Sequence, residues 1–537
     1  MAGMKIKSYF SSLFTPGILI SALIGSASIA WSARSRWTII WLNGQYFDGQ
    51  ILITKILMLG SFIVALLPFC ILFLALVKKT YIYLFIEPAV GDIPQATQET
   101  RSPAQNPYTL LFILSIGIGV IFYLNNIRAQ IDTLNWIYKP VQVVENRIQP
   151  VGIDFRTGLY RPAESLFTNF DIYSGPVNGV SNNYPPLVYV LSLPYLIINE
   201  NDAYLLQTML LYAALLGSIA LAVTIAKKTF MPVKNLDHET GNVITVALFL
   251  LLSFFAITSY PFMFAIERGN YDLFAIFLVL LFHWVLITRP NDVWLQVLLL
   301  SIAFQIKLYP GILFLIPLFK HGKKSIIPIT SLNVGLFLIL GPGNAWGYLQ
   351  TILQSAEKGD PWIGNHSAAS FTSGLVSSFP QLATAESILL VLFTLLPVFL
   401  WLIGSIVLAR RGITGKSFIL YTMLSIPVME LLPSLSHDYK LVILFPAVTF
   451  MLMWMFSQHS QQKKRVAIVQ TCILLVLLLF ISRPYGTETP LRYLINNKYP
   501  LVLILQGLML WLIFAMPALH PNLDQPNSQT LLETTAR

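Results

Sequence analysis

The stretch ESILLVLFTLLPVFLWLIGSIVLA occupies residues 386–409, and Glu386 at its start is its only charged residue. A helix that crosses the hydrocarbon core of a membrane needs about 20 consecutive residues that are predominantly apolar. This stretch is long enough, and no charge interrupts its interior. It therefore predicts a transmembrane helix.

Similar stretches recur along the whole chain of 537 residues. Hydrophobic residues make up 55% of the sequence and charged residues 11%, with a mean hydropathy of +0.68. A soluble domain carries about 25% charged residues, so the composition excludes a soluble multidomain protein. We predict an all-α polytopic membrane protein with about 12–14 spans. The fourteen candidate spans are 14–31, 51–77, 108–124, 204–226, 242–260, 272–288, 293–307, 309–320, 325–341, 386–409, 416–433, 438–456, 465–482 and 499–518.

Some apolar segments are too short to cross the membrane alone. The segments 293–307 and 309–320 flank Lys307-Leu308-Tyr309-Pro310, where the proline breaks the helix. We interpret 293–320 as a broken hairpin with Lys307 at its tip. The run 187–198 is only about 18 Å long as a helix, so we interpret it as re-entrant or interfacial.

Basic residues indicate which side of the membrane each loop faces, because cytoplasmic loops carry an excess of Lys and Arg. The formal net charge is +10. With both termini in the cytoplasm, every run of adjacent basic residues falls on the cytoplasmic side. The excess positive charge is therefore a topological signal, and we predict no nucleic acid among the partners. The runs are Lys78-Lys79, Lys227-Lys228, Lys323-Lys324, Arg410-Arg411 and Lys463-Lys464-Arg465.

The topology also divides the chain into regions. Two long loops, 125–186 and 342–385, carry most of the polar residues of the outer face, and we predict any chemistry there. The four regions are N-terminal transmembrane helices with a cytoplasmic linker (1–107), a membrane domain that includes both long outer loops (108–460), C-terminal transmembrane helices (461–518) and a cytoplasmic tail (519–537).

The first outer loop contains two candidate carboxylates, Asp154 and Asp171, ahead of the Tyr184-Pro185-Pro186 motif. A carboxylate between apolar neighbours near the membrane can serve as a general base. The alternative is a solvated loop aspartate that pairs with Arg156 or Arg161. The spacing of these residues leaves both interpretations open.

Further ionisable residues lie in short outer turns between apolar spans. Glu267-Arg268-Gly269-Asn270 occupies one such turn, where charges are costly and are either functional or mutually paired. Lys307 is either a ligand for a phosphate group or a residue that extends to the outer headgroups. His437-Asp438-Tyr439-Lys440 forms another turn, with Glu430 below it, and is either structural or part of an anion site.

These motifs, in this order and on one face, resemble the GT-C superfamily of membrane glycosyltransferases, in particular glycosyltransferase family 87. The resemblance covers roughly residues 108–460. The motifs that carry it are Asp154-Phe155, Asp171-Ile172-Tyr173, Tyr184-Pro185-Pro186-Leu187, Arg268-Gly269-Asn270, Lys307-Leu308-Tyr309-Pro310, Asn365-His366-Ser367 and His437-Asp438-Tyr439.

The resemblance implies a specific reaction at the outer face of a bacterial inner membrane. A sugar, mannose or another hexose or pentose, passes with inversion from a polyprenyl-phosphate donor to an envelope lipid or glycan acceptor. It implies that Asp154 is the general base and that Lys307, Arg268 and His437 hold the donor phosphate. The residues assigned to substrate binding are Asp171, Tyr184, Glu267, Asn270, His366, Asp438 and Lys440.

One departure from the pattern concerns metals. The first loop has no Asp-x-Asp motif, so no motif supports a divalent metal and none requires a cofactor. Two other functions remain open. A lipid-linked glycan flippase or transporter usually has repeated halves and a site near the membrane midplane. A polysaccharide polymerase or ligase differs by acting on diphosphate-linked glycans.

Overall fold

The computed structural model describes most of residues 152–457 and one C-terminal segment. Asp171, the predicted spans before residue 125, the span 465–482 and the tail 519–537 lie outside the described residues. The described residues are 143–144, 147–148, 152–168, 172–173, 183–230, four pairs between 245 and 257, 259–355, 364–411, 415–457 and 497–515.

The described part is built from apolar helices, as predicted for an all-α polytopic membrane protein. The short strands β1 (Val143–Val144) and β2 (Arg147–Ile148) form one antiparallel ladder. Among the described residues, two helices, Asp202–Phe230 and Pro380–Arg410, are long and apolar enough to cross a membrane. A bent pair, Tyr309–Phe337 with Gly341–Leu353, adds a third if it counts as one span.

The chain divides into two compact units. The first contains Met1–Leu280, Phe337–Leu353 and Tyr439–Arg483. In its described part, α4 packs along α14, and α1 contacts α5. Its helices are α1 (Ile153–Phe155), α2 (Arg161–Ser165), α3 (Pro186–Ser192), α4 (Glu200–Phe230), α5 (Tyr260–Arg268), the first part of α6 (Asp272–Thr288), most of α10 (Gly341–Ser355) and α14 (Leu444–Ser457).

The second unit contains Leu281–Leu336, Gln354–Asp438 and Pro484–Arg537. In its described part, α12 packs against α11, α13 and α15. Its helices are the rest of α6, then α7 (Val293–Ile306), α8 (Leu315–His321), most of α9 (Ile326–Phe337), α11 (Ala368–Ser378), α12 (Glu386–Arg410), α13 (Gly415–Leu431) and α15 (Tyr499–Ala515).

The chain breaks at Lys307, at the tip of the predicted hairpin. Helix α7 ends at Ile306, Lys307 is extended, and a 3-10 turn (Tyr309–Phe314) starts with Pro310 near its beginning. Because proline lacks an N–H and fixes its own φ, the helix cannot continue through this position. The break separates Lys307 from the helices on either side.

Two other segments have informative local structure. The run 187–198 forms α3 and a 3-10 turn (Leu193–Ile197), which together are shorter than a span. The segment 342–385, predicted as a long loop, is largely helical and contains α10 and α11. Helix α10 starts at Gly341, whose φ of +84° turns the chain at a conformation that glycine adopts readily.

Candidate functional site

In the first unit, Asp154 lies in the first turn of α1, directly after Gly152. Gly152 has a φ of +82°, and a Cβ atom there would lie 2.6 Å from the ring of Tyr204. Glycine is therefore required for the chain to enter α1 this close to α4. A π-helical turn (Arg156–Tyr160) follows α1, and such turns are frequent at functional sites.

Arg268 is the last residue of α5, and it reaches Asp154 from there. Its Nη2 donates to Oδ1 of Asp154 at 2.5 Å. Within the part of the chain that the structure describes, Arg268 is the hydrogen-bond donor to this carboxylate. Both side chains are partly exposed, at 30% for Arg268 and 17% for Asp154. A ligand from solution therefore has access to both groups.

The end of α5 explains why these two residues meet. Gly269 ends α5 with a φ of +74°, and its N–H donates to the carbonyl of Ala265 at 2.8 Å. A Cβ at Gly269 would lie 2.8 Å from Cβ of Phe155. Only glycine combines this left-handed conformation with so close an approach to α1. The close approach brings Arg268 within reach of Asp154.

Side chains of α4 hold the same turn in place. The hydroxyl of Tyr204 donates to the carbonyl of Ile266 at 2.6 Å, and Nε2 of Gln207 donates to the carbonyl of Gly269 at 3.0 Å. Oδ1 of Asn270 accepts from the N–H of Asp272 at 3.2 Å. Asn270 is almost fully buried, and its Nδ2 has no hydrogen-bond partner among the described residues.

Tyr184 lies within electrostatic reach of this pair. Burial raises the pKa of its phenol well above the usual value, and the charges of Asp154 and Asp272 raise the pKa further, while Arg268 lowers it. A Cβ at Gly158, in the π-helical turn, would lie 3.3 Å from the ring of Tyr184. The ring therefore packs against the segment that follows Asp154.

The other two arginines of this segment have a different partner. Nε of Arg161 donates to Oε1 of Glu200 at 3.0 Å, and Nη1 of Arg156 lies 3.5 Å from Oε2 of Glu200. The alternative in which Asp154 pairs with Arg156 or Arg161 is therefore wrong. Glu200 is not among the predicted site residues, although an acidic residue that opens a helix after an apolar run is a visible signal.

In the second unit, Lys307 and His437 lie in breaks between helices. Lys307 follows the last residue of α7 in an extended conformation. The side chains of Lys307 and His437 are both half-buried. His437 pairs with Asn365 in an isolated antiparallel bridge. The N–H of His366 donates to the carbonyl of Ser436 at 2.8 Å. The Asn365-His366-Ser367 motif therefore lies against the turn that carries His437.

His366 itself is fully buried between two carboxylates. Its Nδ1 lies 3.2 Å from Oδ1 of Asp438, and its Nε2 lies 2.9 Å from Oε2 of Glu430. Burial lowers the pKa of His366, but the hydrogen bonds and charges of Asp438 and Glu430 outweigh burial and raise it above the usual value. Glu430 was predicted to lie below this turn, but no partner was predicted for it.

The remaining predicted site residues are less informative. Asp171 lies outside the described residues. Glu267 belongs to α5, and its backbone alone is described. Lys440 lies in the first unit and is almost fully buried. In the described part of the chain, no group of three or more His, Cys, Asp or Glu side chains is arranged to hold a metal ion.

The region from residue 182 to residue 432 matches the family model of glycosyltransferase family 87. The match covers 251 of the 537 residues. The predicted resemblance is thereby confirmed, and the chain is a glycosyltransferase. The family 87 region includes Arg268, Lys307 and His366, whereas Asp154 and His437 lie outside its limits. No curated protein and no solved structure gives a match.

The match to family 87 indicates the general class of activity. A glycosyltransferase takes a sugar from a donor and attaches it to an acceptor, so the chain has both kinds of substrate. The apolar helices and the family together make it a membrane glycosyltransferase.

Proposed function

We propose that this glycosyltransferase moves a sugar from a polyprenyl-phosphate donor to an envelope lipid or glycan acceptor, with inversion at the anomeric carbon. The reaction takes place at the outer face of a bacterial inner membrane. Asp154 is the general base. The observation that carries the proposal is the contact between Asp154 and Arg268, a carboxylate and a guanidinium that are both partly exposed.

The geometry of this pair suits an inverting displacement. Oδ1 of Asp154 accepts the hydrogen bond from Arg268, which leaves Oδ2 to accept the proton of the acceptor hydroxyl. The hydroxyl oxygen forms a bond to the anomeric carbon as the bond from that carbon to the phosphate oxygen breaks. The phosphate leaves with the electron pair, and its negative charge requires fixed positive charge nearby.

Arg268 is suited to both parts of this reaction. A guanidinium has five N–H donors in a planar fork, so it can contact a carboxylate and a phosphate together. We assign Arg268 to the donor phosphate on this ground. Lys307 and His437 are assigned the same role, because both are cationic or protonatable groups at breaks between helices. No step is assigned to a metal or a cofactor.

The lipid part of the donor needs an apolar surface. In the first unit, the segment formed by α3 and its 3-10 turn exposes Leu191, Ile197 and Ile198. Tyr184 precedes this segment and also packs beside the residues that follow Asp154. We therefore assign Tyr184 to substrate binding, with Asn270, Asp171, Glu267 and Lys440 as further substrate-binding candidates.

The proposal is tested with radiolabelled polyprenyl-phosphate sugar and membranes that contain the full-length protein. We expect wild type to transfer the label to an envelope acceptor, and Asp154→Asn to abolish transfer without loss of protein from the membrane. Removing a general base typically costs about 100- to 10,000-fold in rate. Glu164→Gln is the matched control, because Glu164 is an exposed carboxylate ten residues further along the same loop.

Two outcomes would contradict the proposal. Transfer by Asp154→Asn at the wild-type rate would exclude the aspartate as base. Label transfer from a diphosphate-linked glycan, with none from the polyprenyl-phosphate sugar, would indicate a polymerase or ligase instead.

A further inference from the structure

In the described part of the second unit, one group of four buried ionisable side chains is not used directly by the proposed reaction. His366, Glu430 and Asp438 are fully buried, and Lys498 is 2% exposed. We call these four residues the buried charge cluster. Lys498 lies outside the family 87 region, one residue before α15.

The two ring nitrogens of His366 each face a carboxylate. An ionised carboxylate only accepts hydrogen bonds, so a ring nitrogen that bonds to one must carry a proton. Nδ1 of His366 faces Asp438 and Nε2 faces Glu430. With both carboxylates ionised, both nitrogens donate and the ring is an imidazolium. The hydroxyl of Ser436 also approaches Nε2, at 3.4 Å.

The charges in the cluster balance. His366 and Lys498 supply two positive charges, and Glu430 and Asp438 supply two negative ones. Burial lowers the pKa of Lys498 below its usual value, and the charge of Asp438 offsets this effect only in part. A buried ion is tolerated only when it is paired and hydrogen-bonded. Loss of one member therefore removes a compensating charge from the others.

The cluster joins three segments that are distant in sequence. The N–H of Asp438 donates to the carbonyl of Gly364 at 2.8 Å, which pairs the 364–367 segment with the 434–438 turn. Asn365 accepts from the N–H of Ser436 at 2.9 Å. Nδ2 of Asn497 donates to the carbonyl of Asn365 at 3.0 Å. His437, the half-buried residue between Ser436 and Asp438, is fixed at both sides by these contacts.

We propose that the His366 imidazolium is a positioning residue, which fixes the 434–438 turn and so orients His437 for the donor phosphate. The proposal rests on the role of His437 in the proposed function. His366 is fully buried, so it acts through the turn and not by contact with the donor. Among the described residues, the titratable groups bonded to its ring are Glu430 from α13 and Asp438 from the turn, and Lys498 from the C-terminal segment interacts with Asp438.

The first part of the test does not depend on activity. The seven histidines are isotopically labelled, and the imidazole signals are followed by NMR from pH 5 to pH 9 in the full-length protein. The His366 signal is assigned by its absence from the His366→Gln/Glu430→Gln double variant, which removes one charge of each sign. We expect His366 to titrate above pH 6.5, the usual value for histidine. In Glu430→Gln, we expect the midpoint to fall by about one pH unit or more.

The second part measures KM for the sugar donor and kcat across the same pH range. Once His366 loses its proton, the turn loosens and KM should rise. In Glu430→Gln this rise in KM should begin at lower pH. Since one pKa unit corresponds to a tenfold change, KM of this variant at pH 8 should be about tenfold above that of wild type. We expect kcat to change little. Glu386 is an exposed carboxylate at the start of α12, so Glu386→Gln is the control and should match wild type.

Three outcomes would overturn the proposal. His366 titrating at or below pH 6.5 in wild type would exclude a buried imidazolium. A pH profile of KM that does not shift with the His366 midpoint would exclude positioning. A loss of kcat and of stability that is the same at every pH would also exclude it. Normal transfer by Asp154→Asn would instead contradict the proposed function, and the His366 titration is independent of that result.

Discussion

At the scale of single residues, two glycines bring Asp154 and Arg268 together. Gly152 precedes α1 and Gly269 ends α5, each with positive φ, and each has an aromatic residue where a Cβ would lie. A side chain at either position would strain the backbone and separate α1 from its neighbours. The contact between the carboxylate and the guanidinium therefore depends on residues that carry no functional group.

Replacing one of these glycines tests this dependence. In Gly269→Ala, the left-handed backbone and the contact with Phe155 should lower the free energy of unfolding by about 1–3 kcal/mol and reduce sugar transfer. Thermal unfolding in detergent and the transfer assay measure the two effects. Gly335→Ala is the control, because Gly335 lies inside α9, has no positive φ and has no atom within 4 Å of its Cβ position.

The control should keep full transfer and gain a little stability, since alanine favours a helix interior over glycine by about 0.5–1 kcal/mol. Equal stability and equal activity in Gly269→Ala and wild type would show that the close approach of α1 and α5 is not required.

At the scale of elements, α15 is tied to the second unit by specific hydrogen bonds. The hydroxyl of Tyr499 donates to the carbonyl of Phe393 at 2.6 Å, and Nε2 of Gln506 donates to the carbonyl of Pro397 at 2.8 Å. The ring of Tyr499 stacks on Phe371 of α11 with centroids 4.8 Å apart. The segment before α15 thereby reaches the Asn365-His366-Ser367 motif.

A single substitution isolates the link between this segment and the motif. In Asn497→Asp, Oδ1 can still accept from the N–H of Tyr499, but the donor to the carbonyl of Asn365 is lost. Leaving a buried carbonyl without its donor costs about 1–3 kcal/mol, so we expect a lower unfolding temperature. Asn291→Asp, in an exposed turn, is the control. Equal unfolding temperatures for the two variants would contradict the link.

At the scale of the whole molecule, the distribution of basic residues predicts which face each loop occupies. In a variant with Cys70→Ser and Cys472→Ser, a cysteine introduced by Glu164→Cys should react with an impermeant maleimide in intact cells. A cysteine introduced by Lys323→Cys should react only after the membrane is opened. Both positions are exposed in the structure. The reverse labelling pattern would contradict the predicted orientation.

The sequence predicted the parts of the fold that depend on local pattern. The apolar run 272–288 is helix α6, and the break at Lys307 follows from the proline three residues later. Apolar run length and proline act through neighbouring residues, so they are readable without a structure. The segment 342–385 was predicted as a loop because it is rich in polar and small residues, yet α10 and α11 form within it.

The side-chain partners could not be predicted in the same way. Glu200 lies 39 residues from Arg161, and His366 lies 64 and 72 residues from Glu430 and Asp438. Such pairs form because packing brings distant segments together, and sequence spacing carries no record of this. Candidate residues were therefore recognised by type, whereas their partners were found only in the structure.

The most direct test of the central claim is the single-turnover rate of sugar transfer by purified Asp154→Asn in a lipid bilayer, measured with the dissociation constant for the polyprenyl-phosphate sugar. If Asp154 is the general base, the rate should fall by at least about 100-fold while the dissociation constant stays within about twofold of wild type. A folded variant that transfers the sugar at the wild-type rate would contradict the account.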